Sequence, residues 1–126
     1  MVTLPRALRA IAVIFIVGPA LFMAIWPSGW RWEPHNESYE HMIVVLYAVL
    51  GICLWKAADN PAANRSLISF TIWSSVAHAA AMFIHVFEAD EPMHLVADIP
   101  ALILIAGVLG ALLRNEDQRR AAATTT

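Results

Sequence analysis

The chain has 126 residues, enough for one small domain; 60% belong to the strongly apolar group and 14% are charged. Soluble domains carry roughly 25% charged residues, and a small one has the most surface to cover. A formal net charge of −2 offers no basic patch for nucleic acid, and the single cysteine, Cys53, excludes a disulfide framework or a CxxC site. An integral membrane protein is what this arithmetic leaves.

Four segments reach the roughly 20 apolar residues that a membrane helix requires. They run over about 7–26, 39–57, 66–88 and 94–113. The first contains Gly18-Pro19, which predicts a kink, because proline removes a helical hydrogen bond. Arg6 and Arg9 resemble the start of a signal peptide, but the apolar run is long and no Ala-x-Ala site precedes Pro27. An uncleaved first helix is therefore expected. Asn60-Pro61 marks a turn between the second and third spans, and Pro100 falls early in the fourth. Residues 121–126 lack an apolar period and are expected to form a disordered tail. The fold class is an all-α membrane bundle of four transmembrane helices in a single domain.

Orientation follows from the basic residues. Arg6, Arg9, Lys56, Arg65, Arg114, Arg119 and Arg120 share one side, against Arg31 alone on the other. The positive-inside rule then places both termini in the cytoplasm. Trp26, Trp30 and Trp32 would form an outer aromatic belt. On that outer side fall His35, His41, His85 and His94, with Glu33, Glu37, Glu40, Glu88, Asp90 and Glu91. His78 sits near mid-span and Asp98 one turn inside the fourth span.

The third span carries a polar stripe. Thr71, Ser74, Ser75, His78, Met82 and His85 recur at spacings of three and four, which puts them along one face. His94 and Asp98 are four apart; Glu40 and Tyr47 are seven apart, with Gly51 on the same side. Gly51 is expected to let a neighbouring backbone approach. At 1.5 Å per residue, Glu40, His85, His94 and Asp98 lie within roughly 6 Å of the outer interface, and Tyr47 and His78 at roughly 10–15 Å.

Imidazole and carboxylate ligands suit zinc, iron, manganese and copper, and helix pairs at these spacings are how bundles build such sites. Glu40, His78, His85, His94 and Asp98 are the expected metal ligands, with His41, Met82 and Tyr47 as additions. Met82 and Met93 would suit copper(I). Each also has a plainer reading. Interfacial His35 and His41 also read as solvated, Met82 and Tyr47 as packing, Asp98 as a helix cap, and Glu33, Glu37, Asp90 and Glu91 as a solvated face. His78 would otherwise bond a neighbouring helix. Facing histidines would alternatively hold haem b. A further alternative is an accessory subunit whose stripe is satisfied by a partner membrane subunit or by a second copy in a homo-oligomer.

Tyr39-Glu40-His41-Met42, then 47–51, the run Phe70 to Ala79, Met93-His94-Leu95 and Ala97-Asp98-Ile99-Pro100 carry a resemblance. The chain resembles a family of small bacterial four-helix membrane proteins of unknown function, from the second span onward. That resemblance implies an inner-membrane bundle and carries over no activity or ligand.

Overall fold

The computed structural model describes residues 1–125. Helix α1 spans Leu4–Ile25, short α2 Pro27–Trp30, α3 Glu37–Ala57, α4 Arg65–Ala89 and α5 Asp98–Thr124, with a 3-10 turn over Pro92–Leu95. No strand occurs among the described residues. Four helices are long and apolar enough to cross a membrane, as the sequence predicts.

Local chemistry sets the helix ends. Pro5 opens α1, where its missing N–H costs nothing, and the helix continues through Pro19. The Asn36 side chain accepts from Tyr39 N–H at 3.2 Å and caps α3, whose first turn carries Glu37 and Glu40 and whose last carries Lys56. Those charges oppose the helix dipole at both ends. Asp90 closes α4 in the left-handed region (φ 55°), a conformation that aspartate tolerates better than most residues, and Glu91 N–H returns to Val86 C=O.

The fourth span differs from expectation at both ends. His94 lies in the 3-10 turn, separated from α5 by Val96 and Ala97, so His94 and Asp98 are not on one continuous helix. At the other end α5 continues through Ala121–Thr124, where a disordered tail is expected from sequence. Three consecutive alanines favour continuation, and the Thr124 hydroxyl donates to Ala121 C=O at 2.9 Å. Thr126 lies outside the described residues.

Helix α1 packs along α3, and α4 along α5; α1 and α5 join the two pairs, while α3 and α4 touch sparingly. One end of the bundle holds both chain ends. There Arg9 pairs with Asp59 at 2.9 Å and Arg65 with Asp117 at 2.8 Å. The other is the tryptophan end, formed by α2, the 31–36 loop and the 3-10 turn. Leu8, Leu54, Ile68 and Leu109 are fully buried toward the terminal end, and Ala79, Met82, Val86, Ile99 and Leu102 pack toward the tryptophan end. Tyr47 borders both clusters.

Between apolar helices in lipid, close approach replaces the hydrophobic effect as the source of cohesion. Gly51 provides it. A Cβ at this position would stand 2.7 Å from the Ala12 carbonyl oxygen and 2.7 Å from Ile16 Cγ1. Gly29 does the same for α2, where a Cβ would lie 2.9 Å from Ala97 Cβ. Gly51→Leu is expected to cost about 1–3 kcal/mol by overpacking, read as a lowered unfolding midpoint in detergent. Gly107→Ala, where nothing lies within 4 Å of the added carbon, is the control and should leave the midpoint in place.

Candidate functional site

The break between the 3-10 turn and α5 brings three ionisable groups together. His94 is fully buried. Its Nδ1 is 2.8 Å from Asp98 Oδ2 and its Nε2 is 3.0 Å from Glu91 Oε2. Trp32 stacks on the imidazole with centroids 3.8 Å apart and planes 14° from parallel, and its Nε1 donates to Asp98 Oδ2 at 3.3 Å. The other oxygen of Glu91 accepts from Glu33 N–H at 2.7 Å, tying the 31–36 loop to the turn.

The charge of this trio does not depend on where its protons sit. Each hydrogen bond holds one proton. An imidazolium between two carboxylates carries net −1, and so does a neutral imidazole beside one carboxylic acid and one carboxylate. Asp98 also opens α5, where the helix dipole favours a negative group.

The remaining expected ligands do not join this trio. Glu40 receives two hydrogen bonds from Arg31, at 3.0 and 2.8 Å, in the bidentate fork typical of arginine and carboxylate. The bond to Glu40 holds the Arg31 guanidinium above its ordinary pKa. His85 is exposed and faces Glu88 at 2.8 Å. The reason is angular: Ile68, Thr71, Ser75, Ala79, Met82 and Val86 form the buried face of α4, and His85 precedes Val86 by one residue, about 100° around the helix. His41 and Met93 are exposed. Tyr47 and His78 do meet, with the hydroxyl 2.7 Å from Nδ1. Among the described residues, no three His, Cys, Asp or Glu converge in a geometry that could hold a metal ion.

A cavity of about 120 Å³ lies between these groups. Phe15, Gly18 and Pro19 wall it from α1, Tyr47 from α3, and His78 and Met82 from α4. Trp30, Trp32 and Asp98 close the tryptophan end. Ile14 and Ile43, whose side chains are exposed on the outer faces of α1 and α3, also belong to the wall, so the cavity reaches the flank of the bundle. Its lining is almost wholly apolar, yet two polar atoms of lining residues are buried without a hydrogen-bond partner among the described residues: Trp30 Nε1 and Asp98 Oδ1. Such atoms cost about 1–3 kcal/mol each. Phe22 stacks on Trp30 (4.7 Å, 18°), and Phe15 meets Tyr47 edge-on (5.0 Å). Pro19 has no N–H, so the Phe15 carbonyl lacks its i+4 partner.

Sequence reasoning missed Glu91, Trp30 and Trp32 as site residues. Glu91, His94 and Asp98 do recur at three and four, a spacing that links Glu91 to the other two despite its charged neighbours. Nothing in the sequence signals the tryptophans beyond their place in an interfacial belt.

The family model described as a family of unknown function, DUF6632, matches residues 3–126, and the chain belongs to that family. No curated protein and no solved structure matches it.

Breaking the trio should be costly. His94→Ala leaves the buried Asp98 and the half-buried Glu91 without their shared partner and is expected to lose about 3–5 kcal/mol. Tyr47→Phe, which leaves only His78 Nδ1 unpaired, should lose about 1–3 kcal/mol. His85→Ala, at an exposed site, should stay within about 0.5 kcal/mol of wild type. Denaturation midpoints of the three variants in one detergent give the order.

Proposed function

We propose that this chain is a multi-pass protein of a bacterial inner membrane, with both termini cytoplasmic, and that it binds a small amphiphile in a cavity in its outer half. The observation that carries the binding reading is an apolar cavity whose lining includes Trp30 and Asp98, each with a buried polar atom that has no partner among the described residues. Largely apolar pockets with a few convergent polar groups are the usual form of small-molecule sites. The orientation rests on the seven basic residues at the terminal end against Arg31 at the tryptophan end. The bacterial setting rests on the family resemblance.

The metal reading of Glu40, His78, His85, His94 and Asp98 draws less support. Both nitrogens of His94 face carboxylates, Nδ1 of His78 faces Tyr47, and Glu40 is occupied by Arg31. For haem b, the cavity is far smaller than the macrocycle. A partner subunit or a second copy would find its largest uncovered apolar face on α3, where Met42, Val45, Leu46 and Val49 point outward; lipid covers such a face equally well.

The test fills the cavity. Gly18 lines the cavity and a Cβ there would lie 3.5 Å from its nearest neighbours, an ordinary contact, so Gly18→Leu is the variant expected to fill the space. In lipid nanodiscs, 1-octanol should change the tryptophan emission of wild type saturably and leave Gly18→Leu unchanged. Equal responses from both proteins would refute the cavity as the binding site.

A further inference from the structure

Resting on that reading, we infer that the guest is a neutral amphiphile headed by a hydroxyl group, which enters from the bilayer and leaves its apolar part toward Ile14 and Ile43. The bonding capacities of the wall define the head. Trp30 Nε1 can only donate, so the head must accept. Asp98 Oδ1 wants a donor, so the head must also donate. A hydroxyl does both with one atom. An alkane does neither, and a carboxylate or an ammonium does only one of the two.

Charge selects in the same direction. With one proton in each of its two hydrogen bonds, the trio of Glu91, His94 and Asp98 carries one net negative charge, which repels an anionic head. A cationic head gains from that charge but leaves Trp30 unpaired, and it loses its hydration among apolar walls. Arg31, the one basic side chain at this end, is engaged by Glu40 and does not line the cavity.

Size and access complete the argument. A volume of about 120 Å³ corresponds to about four waters at their liquid volume, which holds a head and a few carbons and no more. The rest of a longer molecule must lie outside, and the flank at Ile14 and Ile43 faces the hydrocarbon. Neither Trp30 Nε1 nor Asp98 Oδ1 is open to water as the walls stand, so pairing with the head entails a small rotation of the indole or the carboxyl.

The experiment compares heads on one chain. Octane, 1-octanol, octanoate and octylammonium are titrated into the protein in nanodiscs of zwitterionic lipid, each at equal concentration in the bilayer, with saturable tryptophan emission as the readout and Gly18→Leu as the blocked control. Octanol should bind at least about tenfold more tightly than octane, the worth of two hydrogen bonds of which Trp30 Nε1 supplies one, with octanoate and octylammonium weaker than octanol. Trp30→Phe, which keeps a ring against Phe22 and removes the N–H, should cut the preference for octanol over octane by about threefold to tenfold. Adding 4-butylphenol tells an aromatic from an aliphatic hydroxyl as the source of the head, and tight binding of either supports the inference. If all four octyl probes bind wild type equally, or octylammonium or octanoate binds best, the hydroxyl inference is overturned while cavity binding stands. If no probe, 4-butylphenol included, gives a saturable response that Gly18→Leu abolishes, both readings fall.

Discussion

A buried imidazole gripped at both nitrogens sets the terms for the tryptophan end. A polar group buried away from water must find its partners within the chain. His94 finds Glu91 on one side, Asp98 on the other and the face of Trp32 above it. Those contacts join the 31–36 loop, the 3-10 turn and the start of α5. Because Glu91 also holds Glu33 N–H, the loop cannot lift without exposing the imidazole. The left-handed turn at Asp90 and the break at Val96-Ala97 are what aim His94 and Glu91 at Asp98.

The four helices were legible in the sequence because their signal is one of amount: about 20 apolar residues leave few alternatives. Gly51 was legible for a related reason, since a glycine on a polar-bearing face has few uses other than close approach, and Ala12 and Ile16 fill that role. The candidate site was legible only in part. Spacing placed Tyr47 and His78 at one depth, and they bond. Spacing also joined His94 to Asp98, correctly as a contact, though across a helix break that no periodicity announces. Angular position failed for His85, because a three-four stripe drifts around an α-helix and one residue decides between interior and lipid. Glu40 was lost to Arg31, which lies on a loop whose path no helical rule describes.

Energetically the two ends are held by different means. At the terminal end Leu8, Leu54, Ile68 and Leu109 interlock and exposed ion pairs add little. At the tryptophan end a charged network carries the structure, and buried networks are unforgiving when incomplete. The cavity lies where these two regimes meet, bordered by Tyr47, and the unpartnered atoms of Trp30 and Asp98 are local costs that the rest of the fold offsets.

The unequal helix contacts divide the bundle into two halves. Helices α1 and α3 form one antiparallel hairpin and α4 and α5 another, and α3 scarcely touches α4 although it precedes it in the chain. Gly51 closes the first hairpin on contacts within that hairpin, whereas the Tyr47 hydroxyl finds its partner, His78, only on the second. Docking of the two halves is thus rewarded by that bond, and the same event creates the cavity between them.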